Sequence, residues 1–255
     1  MMKILRSLRQ NVIANGKLKQ YLLYTLGEIL LVMIGILLAL RVNEWNDNRK
    51  DQALEQTYYC KLTEDIQQDV LQIDKMIEEN NDRIHQCNLL IHLLQTGKPN
   101  PYELSNAVVG SISKTTFTFK TSTAAFEDLK SSGNLKILRD HAIKDSLIHY
   151  YATLEGYIDV IDINSDYTVA LYYDPSKDFI AYGWQYMAHT RAVVDSSLVN
   201  QQALDVHPFP SPGIRKQLLS DAIFYMTTNG RKAQWYNIMK AEIMRMLIMM
   251  NQKCL

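Results

Sequence analysis

The chain of 255 residues carries 27 basic and 27 acidic side chains, 47% hydrophobic residues, ten Gly and six Pro. That length supports one sizeable core, or a core with an appendage. Zero net charge argues against a nucleic-acid binder, the hydrophobic fraction argues against disorder, and the scarcity of breakers argues against collagen-like or low-complexity chains.

The neutral total hides an asymmetry. Positions 1–40 hold Lys3, Arg6, Arg9, Lys17 and Lys19 against the single acid Glu28, which leaves 22 basic and 26 acidic residues in 41–255. In 1–20, Ile4, Leu5, Leu8 and Val12 share a helical face with the cations mostly off it, the pattern of a short basic amphipathic segment on an anionic leaflet. Residues 21–40 are apolar except for Glu28, and 20 residues of helix span about 30 Å, the thickness of a hydrocarbon core. Tyr21, Tyr24 and Trp45 stand near the two ends, where amphipathic rings favour an interface. Five cations precede the run, while Arg41, Glu44, Asp47, Arg49 and Lys50 after it nearly cancel, so the positive-inside rule predicts a cytoplasmic N-terminus and residues 41–255 outside. A cleaved signal peptide needs a shorter apolar core and a small-x-small site, whereas this run ends Leu38-Ala39-Leu40-Arg41-Val42.

Excluding Glu28 would leave only Ile29–Leu40, too short to span, so the carboxylate is expected in the membrane or just below its surface. A charge there usually faces a partner, a cavity or a proton path. Glu28, Val32, Gly35 and Ala39 fall on one face, and Gly35-x-x-x-Ala39 permits close helix approach. The expected partners are therefore the lipid bilayer and, through this face, a second copy or another membrane protein.

No Pro or Gly occurs from Asn43 to Gln95, so one long stalk helix over 41–95 is predicted. Ile66, Val70, Ile73, Ile77, Asn80 and Ile84, continuing to Cys87, Ile91 and Leu94, alternate in steps of four and three. This is the seam of a coiled coil or of a helix packed in a bundle, with Asn80 inside it as a register-fixing amide. Turn residues at 96–101 end the helix. The bundle over 96–255 is predicted to contain a short helix at 103–113, a brief extended stretch at 115–121, and a helix from Thr123 that stops at Ser132-Gly133-Asn134. A periodic helix at 141–164, continuing toward Tyr173, and a helix at 179–197 come next. A rigid Pro-rich loop at 208–213 and two helices at 214–228 and 231–252 complete the chain.

Residues with chemical potential are sparse. Cys60 and Cys87 lie roughly 40 Å apart on one helix and cannot bridge; a Cys60–Cys254 disulfide and buried thiols are the two open readings. The six His show no zinc spacing, and the C-terminal methionines suit core packing, so neither a metal nor a cofactor is expected. Tyr150, Tyr151, Tyr157, Tyr172 and Tyr173 belong to an aromatic stretch that could face a ligand or serve as ordinary core edge. No Gly-x-Gly-x-x-Gly, phosphate loop or Gly-x-Ser-x-Gly is present, and an enzyme is not expected.

Two stretches carry a resemblance. The run 21–50, with its Gly-Glu-Ile, Ile-Gly-Ile and Asn-x-Trp-Asn, and Phe126–Asp140 followed by Ile148–Tyr151, resemble landmarks of domain-of-unknown-function family 6090. The resemblance implies a single-pass membrane protein of Bacteroidota with its body in the periplasm, and implies no activity. The expected architecture is mainly α: a basic segment at 1–20, a transmembrane helix at 21–40, and a periplasmic helical body at 41–255. The expected role is a non-enzymatic scaffold or envelope-complex subunit of the bacterial inner membrane. The alternatives are a ligand sensor signalling through a membrane partner and a proton-coupled, stator-like subunit using Glu28.

Overall fold

The computed structural model describes residues 18–97, 99–177, 184, 187–204 and 210–254; the basic segment at 1–17, and Tyr182, Tyr186 and His207, lie outside them. Among the described residues six α-helices follow one another: α1 Leu18–Gln95, α2 Pro101–Gly110, α3 Ala124–Ser131, α4 His141–Tyr172, α5 Ala188–Val193 and α6 Pro212–Asn251. Single 3-10 turns occupy Asn134–Ile137 and Gln201–Leu204, and no strand occurs among the described residues. The chain is mainly α.

Packing divides the chain at Gln56/Thr57 into two compact units. In the first, α1 exposes every large apolar side chain from Leu22 to Val42. It is the one helix, among the described residues, long and apolar enough to cross a membrane.

The second unit is built on three long helices. From Thr57 onward α1 is a wall of the bundle, and the segment after it descends antiparallel along its side. Lys114 pairs with Glu79, the Lys120 N–H donates to the Gln72 side chain, and Ser122 and Ala125 reach Asp69 and Asp65. Helix α2 packs so closely that a Cβ on Gly110 would come within 2.7 Å of Gln86. The chain thus returns to the start of the bundle, and α4 then climbs parallel to α1. Asp140 caps its first turn by accepting from the Ala142 and Ile143 N–H groups, as a short acidic side chain at an N-cap does. Helix α6 descends antiparallel to both: Arg215 meets Gly97, Asn229 meets Asn80, Lys240 meets Asp74, and Cys254 forms a disulfide with Cys60 across a Cα–Cα distance of 4.7 Å. The disulfide resolves the two readings left open for these cysteines, and Cys87 is the buried free thiol.

Two expected helices at 214–228 and 231–252 are one. Asn229-Gly230 fails to break α6 because Asn229 is buried in a polar network that holds the helix on both sides. That packing outweighs the roughly 1 kcal/mol a mid-helix Gly costs. Pro212 occupies its first turn, where its missing N–H is harmless, with Ser211 as N-cap. Within the expected helix at 179–197, the described residues are α-helical only over Ala188–Val193; Asp195 then turns the chain by accepting from the Ser197 N–H and hydroxyl. The helix stop at Ser132-Gly133 is built with Gly133 at φ +70°.

The core falls into two apolar clusters. One gathers Leu62, Ile66, Ile73, Leu129, Leu147, Leu154, Tyr236 and Met239; the other gathers Cys87, Leu90, Leu94, Leu104, Tyr172, Leu218 and Tyr225. Each fully buried Leu or Ile contributes about 1.5–3 kcal/mol. Between the clusters lies a polar layer: Asn80 and Arg83 from α1, Ser165 and Thr168 from α4, and Thr228, Asn229 and Lys232 from α6, all buried.

Candidate functional site

The buried line of α1 runs Tyr59, Leu62, Ile66, Asp69, Ile73, Met76, Asn80, Arg83, Cys87, Leu90 and Leu94, alternating steps of three and four. Ile66, Ile73 and Asn80 of the predicted seam lie on it. Val70, Ile77 and Ile84 flank it half-buried. Their places on the line are taken by Asp69, Met76 and Arg83. Apolar periodicity passes over Asp69 and Arg83 because it scores charge as exposed. Their burial rests on partners far away in sequence.

Asp69 is fully buried and accepts from the Tyr150 hydroxyl at 2.6 Å and the Ser122 N–H at 2.7 Å. Burial pushes its carboxyl up to about 6, against the pull of these hydrogen bonds. Asp65, one turn earlier, accepts from the Ala125 N–H and so caps α3, whose own N-cap Thr123 makes no side-chain bond. Tyr150 is held above its ordinary range by burial and by Asp69.

In the polar layer, the Arg83 guanidinium donates to Asn229 Oδ1, Asn80 Oδ1 and the Ser113 carbonyl. Asn80 Nδ2 donates to the Asn229 carbonyl, and Asn229 Nδ2 to the Ser111 carbonyl. Lys232 Nζ reaches the Thr115 carbonyl and hydroxyl at 3.1 and 2.6 Å. Three side chains from α1 and α6 therefore grip three carbonyls of the turn following α2, where a helix end leaves carbonyls without intrahelical partners. Two basic side chains are buried here with no carboxylate hydrogen-bonded to either, among the described residues. Burial pushes the Arg83 guanidinium down and lowers Lys232 to about 7. The Tyr236 hydroxyl beside them is buried without a hydrogen-bond partner. Neither Arg83 nor Lys232 carries a sequence motif. A heptad step of three from Asn80 would have found the first; nothing local marks the second.

The predicted ligand-facing tyrosines do not form one site. Tyr151 stacks on Phe126 with ring centroids 4.2 Å apart. Together with Leu135, Ile148, Ala152 and Ile158 they floor a cavity of about 590 Å³ between α3 and α4, edged by Glu127, Lys130 and Glu155. Tyr150 turns inward to Asp69, and Tyr157 packs on Trp235. Tyr172 and Tyr173 line a separate cavity of about 440 Å³ with Trp184, whose indole N–H donates to the Tyr172 hydroxyl at 2.7 Å. Among the described residues no cluster of His, Cys, Asp or Glu is arranged to hold a metal ion.

In the first unit Glu28, Val32, Gly35 and Ala39 are all solvent-facing, and nothing lies within 4 Å of a Cβ built on Gly35. The face is available to a partner.

No curated protein and no solved structure matches this chain. A family match does exist, over residues 28–169, which takes in the first long helix from Glu28 onward, α2, α3, the whole lining of the larger cavity and nearly all of α4, but none of α6. More than half of the chain lies within it, and the chain belongs to the family of unknown function DUF6090.

Proposed function

We propose that this protein is a non-enzymatic, single-pass inner-membrane protein whose helical body, in the periplasm, serves as a scaffold or subunit of an envelope complex. The observation that carries this reading is α1 itself: a helix that leaves its whole apolar run from Leu22 to Val42 uncovered, then buries Asp69, Asn80 and Arg83 within a folded body. An apolar surface of that extent needs either lipid or a partner. The Cys60–Cys254 disulfide supports an oxidising compartment for the body, since such bonds persist outside the cytosol. The face of Glu28, Val32, Gly35 and Ala39 supplies the docking surface inside the bilayer.

The test is crosslinking in native membranes. Gly35→Cys is expected to give a dimer or a defined partner adduct, identified by mass spectrometry after pulldown; clean monomer would end the claim for this face. Thiol labelling in intact cells gives the orientation: Cys60 and Cys254 should resist alkylation until reductant is added. Labelling of both without reductant would place the body in the cytosol.

A second reading, a ligand sensor that signals through a membrane partner, is favoured by the cavity floored by Phe126 and Tyr151. Its volume of about 590 Å³ falls in the range of small-molecule sites. Filling it with Ala152→Trp should abolish the response of a sensor and leave a scaffold's assembly unchanged.

A further inference from the structure

The turn at 111–116 has three of its carbonyls held by side chains from other elements, beside its own backbone bonds such as Thr115 N–H to the Ile112 carbonyl, and it carries a strained residue. Lys114, with φ +55°, is the one non-glycine residue in the left-handed region among the described residues. Its ammonium is occupied by Glu79 at 2.9 Å. Arg83, Asn229 and Lys232 bind the carbonyls of Ser113, Ser111 and Thr115 in turn. The same turn forms one wall of the 440 Å³ cavity, opposite Tyr172, Tyr173 and Trp184. Whatever loosens the turn therefore opens that cavity.

The partners of Lys232 decide when this happens. A neutral amine has two N–H donors, and these are matched by the Thr115 carbonyl and hydroxyl oxygens, which accept at 3.1 and 2.6 Å. An ammonium has three donors and no acceptor function. Thr115 offers it only two oxygens, and no carboxylate hydrogen-bonds to it. The ionisable groups around it are Arg83 and Glu79 from α1, Asp162 from α4, Tyr236 one turn along α6, and Lys114 in the turn. Arg83 repels an ammonium, Glu79 is engaged by Lys114, and Asp162 attracts it only through space.

We propose that Lys232 is a proton-operated latch: as the neutral amine it holds the 111–116 turn closed over the aromatic cavity, and protonation releases the turn. The inference is independent of the scaffold reading and rests on the geometry of the polar layer. The burial that separates Lys232 from water lowers its proton affinity in the closed form to about 7, against 10.5 for the group free in water. The closed form therefore loses stability as pH falls from the free value through the closed value. Opening rises about tenfold between pH 8 and pH 6 and levels off below.

Hydrogen–deuterium exchange on the full chain in lipid nanodiscs, read at the 111–116 amides and corrected for base-catalysed intrinsic exchange, measures this opening. The wild type should lose about tenfold protection between pH 8 and pH 6, with little change at the α6 amides around Met239. Lys232→Met should show the same protection at both pH values. Equal protection of the wild type at pH 8 and 6 would overturn the latch, as would a tenfold change that survives in Lys232→Met. If Lys232→Met does not fold, Lys232→Leu, which likewise cannot titrate, supplies the same comparison.

Discussion

The two stretches of α1 make opposite use of one helix. From Leu22 to Val42 every large apolar side chain faces outward, whereas from Tyr59 to Leu94 the inward line includes Asp69, Asn80 and Arg83 while Leu71 stands 65% exposed. Helix-forming chemistry is common to both, so what separates them is what surrounds the helix. In the second stretch the buried Asp69, Asn80 and Arg83 are each answered by groups from α4, α6 or the descending segment. In the first stretch, from Leu22 to Val42, the described residues bury no side chain at all. Burial is thus a property of the partner rather than of the residue.

The contrast can be broken most forcefully at Arg83. Arg83→Ala leaves Asn80 Oδ1, Asn229 Oδ1 and the Ser113 carbonyl without their donor and opens a void at the centre of the bundle. We expect a loss of about 3–5 kcal/mol in chemical unfolding of the body. A loss below 1 kcal/mol would mean that the polar layer does not hold the bundle together.

A matched pair of substitutions tests the surroundings directly. Leu31 and Leu71 are similarly exposed, at 74% and 65%. Leu31→Arg should cost about 2.5–3.5 kcal/mol in membrane insertion, whereas Leu71→Arg should alter stability by no more than about 0.5 kcal/mol. Glycosylation-tagged insertion assays read the first and thermal unfolding the second. Equal effects would erase the distinction between the two stretches.

Asp69 sharpens the contrast through pH. Its folded-state carboxyl is raised to about 6 from 3.8 by burial, so its contribution to stability is fully present below the unfolded value and is lost as pH rises through about 6. Asp69→Asn should therefore raise stability at pH 8 by about 1–3 kcal/mol, discounting for hydrogen bonds the amide makes less well, with no gain at pH 3.5. A gain of equal size at both pH values would assign the effect to packing instead.

The smallest effect belongs to the exposed pair of Lys240 with Asp74, a link between α1 and α6 that water can reach. Lys240→Ala should cost no more than about 0.5 kcal/mol and respond to salt. A larger loss would bring surface charge into the account of what joins these helices.

Much of this is legible in the sequence. The uncovered run from Leu22 to Val42, the length of α1, the stop at Gly133 and the start of α4 follow from hydropathy, the absence of Pro and Gly, and cap chemistry, all of which act within a few residues. The seam of α1 was readable in its period but not in its full membership. Ile66, Ile73 and Asn80 lie on the buried line, while Val70, Ile77 and Ile84 flank it because Asp69, Met76 and Arg83 occupy its alternate places. The grouping of tyrosines between 150 and 173 was plain, yet one helix turns its successive residues in different directions. Tyr150 and Tyr151 consequently serve a carboxylate and a cavity, and Tyr172 joins Trp184 elsewhere.

By itself, the sequence determined what depends on neighbours along the chain: a helical protein with one long apolar run, a basic leader and a mildly acidic remainder. Only the tertiary structure decided which of the two readings of Cys60 and Cys254 holds, that Asn229-Gly230 continues a helix, and that Arg83 and Lys232 are buried together over the turn after α2. The reason is physical. A buried polar group is tolerated only where its hydrogen-bond partners stand, and for Lys232 those partners lie on Thr115, 117 residues away along the chain.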